Sequence, residues 1–325
     1  MNDMAQLISK VLVLEGDAAC HDRIKSFCDA NHLLPLKAYA DNVMAVLKSN
    51  VDLGAIFISE RFNDQNDGGI LLGRNIHAAR PELPIFLRRN GGAPTDLSDL
   101  PDEDRACFQA GYNADAMHEL QPAIDLCIFS LVYPHALVRG IEELTLAALG
   151  NQFVDVEIDV QPAQVVRDRI IFGELFSLIP LESDWCRGYL MLQTEEQALI
   201  DFVRQGKTLL PAEFDSFRDV NNVLGDITNL VWGTFKNRFV LNETGSGHMT
   251  QVPIIVNHQH RYISFGSDDP QLCFRYTLRD SNPDNPSRLV LDQRFIFNLR
   301  WLPDNFKENE AAMADLVHSG ELELF

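Results

Sequence analysis

The sequence is short of positive charge: 27 lysines and arginines face 47 aspartates and glutamates, for a formal net charge of −20. A nucleic-acid partner needs clustered basic side chains against phosphate, so this balance argues against one. Lysine is missing altogether between Lys48 and Lys207. The six cysteines (Cys20, Cys28, Cys107, Cys127, Cys186 and Cys273) form no CxxC pair and lie mostly among apolar neighbours. They read as free buried thiols and not as a disulfide framework. No window supplies the roughly 18 apolar residues of a membrane span. The richest, residues 123–138, is interrupted by Asp125, Pro134 and His135. The opening MNDMAQLISK lacks a basic region followed by an apolar run, so no signal peptide is expected, and the expected location is the cytoplasm. GxSxG, P-loop and GxGxxG patterns are also missing, and RNGGAP reads as a turn.

What is present is ordinary globular material, 46% hydrophobic and 23% charged, in a length of 325 residues that favours two domains. The expected division is 1–150 and 151–325. In the first part, short apolar strands alternate with amphipathic helices. KVLVLEGD and LGAIFIS read as buried strands, DRIKSFCDA as a helix, and GGILLGRNIHAARPELPIFLRR as helix, turn and strand. HALVRGIEELTLAALG closes this part as a helix ending on Gly150, a suitable C-cap residue. Such alternation predicts a doubly wound parallel α/β sheet. The second part predicts an α+β domain with an antiparallel sheet. NQFVDVEIDV reads as a strand, QPAQVVRDRIIFGELFSLI as a helix and RGYLMLQ as a strand. A helix follows over Phe217–Phe239, then strands at QVPIIVNHQ, RYISFG, LCFRYTL and RFIFNLRWL, and KENEAAMADLVHSGELELF reads as an appended helix with a mobile end.

The order KVLVLEGD, AIFIS, RPELPIFL resembles the receiver domain of response regulators over residues 10–150. In receivers, two acidic residues after the first strand and an aspartate ending the third hold Mg²⁺. That aspartate takes the phosphoryl group, and a lysine ending the fifth strand pairs with it. Here Glu15 and Asp17 stand at the first position with Gly16 between them, and the third strand offers Ser59, or Phe57 in another register, in place of the aspartate. The lysine gap removes the counter-charge in any alignment, and Arg88 and Arg89 follow PIFL where receivers place Ser or Thr. Losing a central carboxylate weakens an octahedral oxygen site severely. Glu15 and Asp17 therefore read as ordinary loop carboxylates, Glu60 as a solvated loop acid, and the domain as a pseudo-receiver used for docking or dimerisation.

The informative segment is FRDVNNVLGDITNLVWGTFKNRF. Val220, Val223, Leu224, Ile227, Leu230, Val231 and Phe235 recur at steps of three and four, on one side of a helix. Asp219, Asn222, Asp226, Asn229, Gly233 and Lys236 step the same way on the opposite side. A solvated face would be content with Lys, Glu and Arg, which favour helix more than Asn, Asp or Gly do, so this stripe reads as a contact surface. A plain solvated face remains the alternative.

VLGDITNLVWGTFK, followed by GHMTQVPIIV with its apolar-Pro-apolar run, resembles the CheX family of response-regulator phosphatases over residues 151–302. The resemblance implies that Asn229 orients water for attack on a partner receiver's aspartyl phosphate and that Asp226 pairs with the partner's lysine. Asn222, Gly233 and Lys236 would contact that partner. The family's acid is normally Glu, and Asp is one methylene shorter. The resemblance further implies no cofactor beyond the Mg²⁺ of the partner receiver, and a homodimer paired through strands in the stretch 252–302. The expected function is thus dephosphorylation of a phosphorylated receiver in chemotaxis or two-component signalling. The alternatives are a non-enzymatic receiver-binding module and a structural scaffold. His258 and His260, with His248 upstream, would share a strand side as two metal ligands do, but surface histidines in a hairpin are the simpler reading.

Overall fold

The computed structural model describes residues 4–39, 41–49, 52–62, 68–167, 170–171, 174–213, 216–240, 253–257, 263–264 and 269–309. The appended helix expected in the tail lies outside them from residue 310 onward. No helix among the described residues is long and apolar enough to cross a membrane.

The first half is a parallel sheet of β1 (Ser9–Leu14), β2 (Leu33–Lys37), β3 (Leu53–Ser59), β4 (Ile85–Arg88) and β5 (Ala110–Tyr112), ordered β2-β1-β3-β4-β5. The helices are α1 (Ala18–Ala30), α2 (Val43–Ser49), α3 (Gly68–Ala79), α4 (Asp102–Arg105) and α5 (Gln121–Cys127). Successive strand residues point to opposite faces, and the chain uses both. Leu12, Leu14, Ile56 and Ile58 join one core with Ile70 and Ile76 of α3. Val11, Val13, Ala55 and Phe57 join another with Ile24 and Cys28 of α1 and Ile124 of α5. Every residue of β3 is buried, as a central strand covered on both faces requires. This is the doubly wound, receiver-like α/β arrangement.

The second half adds β6 (Val156–Val160), β7 (Gln164–Val166), β8 (Ile170–Ile171), β9 (Leu175–Glu182), β10 (Cys186–Thr194), β11 (Ile254–Asn257), β12 (Ile263–Ser264), β13 (Gln271–Asp280) and β14 (Arg288–Trp301). Its helices are α6 (His135–Gln152), α7 (Glu196–Arg204) and α8 (Phe217–Phe239). The sheet is antiparallel in the order β11-β9-β10-β14-β13-β6, with β7 also on β13 and β8 paired separately with β12. One sheet face, including Leu175, Ile179, Leu190, Phe274 and Phe295, shares a core with Val220, Leu224, Ile227, Val231 and Phe235 of α8.

Two expectations are corrected. The segment QPAQVVRDRIIFGELFSLI is not a helix but carries β7, β8 and the start of β9. Its β-branched and aromatic residues fit a half-buried pleat, and cross-strand pairing with β13, β12 and β10 outweighs the helical spacing of a few apolar positions. The helix expected to close the first half is α6, which runs past Gly150 to Gln152. Its buried residues Leu137, Ile141, Leu144 and Leu149 belong to the core of the second half. It lies close against α8, since a Cβ on Gly140 would come within 2.5 Å of the Phe239 ring.

β7 joins the two halves. Val165 N–H donates to the Ile8 carbonyl at 2.9 Å, Ser9 Oγ donates to the Val165 carbonyl at 2.7 Å, and Arg167 N–H donates to the Leu53 carbonyl at 3.0 Å. Beside this seam, buried Asp52 is paired with Lys10 of β1 and lies 3.3 Å from Arg275 Nη1 of β13. Burial opposes its ionisation, but Arg275 and Lys10 outweigh that and hold the Asp52 carboxyl below the usual range.

Candidate functional site

Ser216 begins α8 as its N-cap, its Oγ accepting from Asp219 N–H at 3.4 Å. Val220, Leu224, Ile227, Val231 and Phe235 are fully buried, and Phe235 lies 5.3 Å from Phe295 of β14, ring centre to ring centre. The rotation of the helix is fixed further by Thr228, also fully buried. Its hydroxyl donates to the Leu224 carbonyl at 2.7 Å and accepts from Ser177 Oγ of β9. Arg238, buried near the C-terminal end, pairs with Glu143 of α6 at 2.8 Å and with Glu308 at 2.6 Å.

With the buried side held this firmly, the other side is determined. At about 100° per residue, positions 222, 226, 229, 233 and 236 fall within an arc of about 80°. Asn222, Asp226 and Asn229 are exposed, while Gly233 and Lys236 are half-buried. Neither Asp226 nor Asn229 has a side-chain partner among the described residues, and a Cβ added at Gly233 would meet nothing within 4 Å. Leu230 departs from its expected place in the apolar stripe: it is 37% exposed and flanks the polar stripe on the Asp226 side. Its single-step offset from Val231 carries it out of the core. Gly225 lies beneath β11, where a Cβ would come within 2.9 Å of Ile255 Cδ1.

The acidic positions of the first half meet a different fate. Glu15, at the end of β1, is no loop carboxylate in solvent; it is buried and ion-paired with Arg88 at the end of β4. Arg88 Nη2 donates to Ser59 Oγ at 2.7 Å and Nη1 donates to Asn90 Oδ1 at 2.8 Å. Asp17 serves as the exposed N-cap of α1, accepting from Cys20 N–H at 2.8 Å, and this bond lowers its pKa. Glu60 is likewise engaged, accepting from Asn90 N–H at 3.0 Å and pairing with Arg89 at 3.4 Å. The fifth strand, Ala110–Tyr112, contains no lysine. A receiver's Mg²⁺ does not fit this constellation, because a fixed guanidinium already lies on Glu15 and Ser59 and no aspartate ends β3.

The pairing of Arg88 with Glu15 escaped sequence reasoning, although a signal was present: an arginine directly continuing a buried strand must find a counter-charge. No group of three His, Cys, Asp or Glu among the described residues is placed to hold a metal ion. His248, His258 and His260 lie outside the described residues. All six cysteines are free.

No family model matches this sequence, and no curated protein does. Among solved structures, the chain is similar to a chemotactic CheC-like protein from Shewanella oneidensis MR-1, at 16% identity over 49% of this chain and 93% of that one, with a TM-score of 0.33. It is similar to the chemotaxis protein CheX from Vibrio vulnificus at 17% identity, over 48% of this chain and 94% of that one, with a TM-score of 0.34. It is also similar to the receiver domain of the TMAO respiratory system response regulator TorR at 15% identity, over 36% of this chain and 94% of that one, with a TM-score of 0.29. The fold assigned above stands on the strand orders and pairings of the chain itself.

Proposed function

We propose that this protein removes the phosphoryl group from the aspartyl phosphate of a partner receiver domain, using α8 as the reactive surface. The observation that carries the reading is the pair Asp226 and Asn229, exposed, unpartnered among the described residues, and one turn apart on a helix whose opposite side is locked into the core. In this reading the Asn229 amide hydrogen-bonds a water and aligns it behind the phosphorus. The water oxygen bonds to phosphorus as the bond to the aspartyl oxygen breaks, giving free carboxylate and inorganic phosphate. An acyl phosphate is already reactive, so orientation is the main requirement, and one positioned amide suffices for that. The partner's own Mg²⁺ supplies charge neutralisation when bound. Asp226 pairs with the partner's lysine, the open space over Gly233 admits partner backbone, and Asn222, Lys236 and Leu230 complete the contact.

The first half serves as a docking unit that is not itself phosphorylated. Self-association follows through β11, which ends the seven-stranded sheet among the described residues of the stretch 252–302. The second reading, a module that binds receivers without hydrolysis, is favoured by the shorter reach of Asp226 compared with a glutamate. Incubating the full chain with a panel of phosphorylated receivers and following phosphate loss tests the proposal. Acceleration of at least one receiver's dephosphorylation is expected; binding without acceleration would hand the case to the second reading.

A further inference from the structure

A second feature stands apart from α8 and does not depend on the phosphatase reading. At the C-terminal end of the parallel sheet, Glu15, Asp17, Lys37, Ser59, Arg61, Arg88 and Asn90 open on a cleft of about 530 Å³. Its inner wall has surplus hydrogen-bond donors. Arg88 uses Nε and Nη2 on Glu15 and Ser59 and one Nη1 hydrogen on Asn90, leaving a second Nη1 hydrogen free. Arginine can only donate, so the Asn90 atom facing it is the oxygen, and the NH₂ points the other way. That Nδ2 is buried with no acceptor. Ser59 accepts from Arg88 and keeps its own proton.

Charge points the same way. Lys37 and Arg61 are exposed at the mouth and have no acidic partner among the described residues. With Arg88 they outnumber Glu15 and Asp17 by three to two, in a chain whose net charge is −20. Of the two acids, Glu15 is spent on Arg88 and Asp17 on the α1 N-terminus. The volume exceeds what a bare anion needs and falls in the range of small-molecule sites. Tyr39, 64% exposed on the same cleft with Lys37 Nζ 5.5 Å from its ring centre, offers a flat apolar surface.

We infer that the cleft is a non-covalent binding site for a small organic phosphate, held by the free donors of Arg88 and Ser59 on its wall, with Lys37 and Arg61 at the mouth. A phosphate ester presents three strong acceptor oxygens to this convergent donor set. Tyr39 receives the organic part.

The test is calorimetric titration of the full chain at constant ionic strength with inorganic phosphate, phenyl phosphate and acetate. Both phosphates are expected to bind saturably, phenyl phosphate more tightly, and acetate to give no saturable heat. Asn90→Asp keeps the acceptor for Arg88 but sets a negative charge where the free NH₂ stood, and Lys37→Glu reverses the charge at the mouth. Each is expected to weaken phenyl phosphate by about tenfold or more, as loss of a charge-assisted hydrogen bond does, with the melting midpoint of Lys37→Glu unchanged. No saturable binding of either phosphate at millimolar concentration, or unchanged affinity in both variants, would overturn the inference.

Discussion

Thr228 decides where Asn229 points. Its hydroxyl ties α8 to Ser177 of β9, so Thr228→Val removes a buried hydrogen bond and leaves the serine without that partner. A loss of about 1–3 kcal/mol is expected by denaturant titration. If the proposed function holds, activity falls too, because the helix loses its fixed rotation. Arg88 is the equivalent determinant in the first half. Arg88→Met strands the buried Glu15 carboxylate and is expected to cost about 3–5 kcal/mol, whereas Glu15→Leu with Arg88→Met recovers most of it. A single variant as stable as the parent would show that the buried Glu15 carboxylate does not depend on Arg88. At this scale the sequence was legible where periodicity governs. Spacing alone places Asp219, Asn222, Asp226, Asn229, Gly233 and Lys236 on one stripe, and the structure exposes Asn222, Asp226 and Asn229 while Asp219, Gly233 and Lys236 are half-buried. Glu15 was not legible, because its partner lies 73 positions away and no local pattern encodes a pair closed by strand order.

At the scale of elements, α8 was readable to its ends because a serine cap, a long amphipathic run and an abrupt change of texture coincide at Phe217 and Phe239. The segment QPAQVVRDRIIFGELFSLI, residues 161–179, reads as a helix yet forms strands, because β7 and β8 are short and pair with β13 and β12 far along the chain, which local periodicity cannot register. For α6 the helix was legible but its neighbour was not. The apolar stripe of Leu137, Ile141 and Leu144 announces a buried face without naming the core that receives it. Gly140 marks that neighbour, since any side chain there meets Phe239 and Arg238. Gly140→Leu is therefore expected to cost about 1–3 kcal/mol through overpacking, read as a lowered unfolding midpoint. An unchanged midpoint would mean that α6 and α8 do not approach so closely.

For the whole molecule, the seam at β7 and the pairing of Asp52 with Lys10 and Arg275 tie the two halves together. The Asp52 carboxyl titrates below its unfolded value. Its contribution is therefore fully present above the unfolded value of about 3.9 and lost as pH falls through the lower folded value. Asp52→Asn is expected to flatten part of the acid limb of the stability curve below about pH 4, and an acid limb identical to that of the parent would contradict this. The same coupling bears on how the chain divides. A fragment beginning at residue 151 lacks α6 and leaves bare the core that Leu137, Ile141, Leu144 and Leu149 cover, so it should aggregate, while one beginning near residue 130 should be better behaved.

The most direct measurement compares the parent with Asn229→Ala on one phosphorylated receiver that the parent dephosphorylates, following phosphate release and unfolding together. Asn229 is exposed and without a partner among the described residues, so the substitution is expected to change stability by no more than about 0.5 kcal/mol. Phosphate release should fall close to the receiver's own unassisted rate, and Asp226→Glu should raise the parent's rate by restoring reach. Undiminished release in a folded Asn229→Ala protein would contradict the assignment of α8 as the catalytic surface.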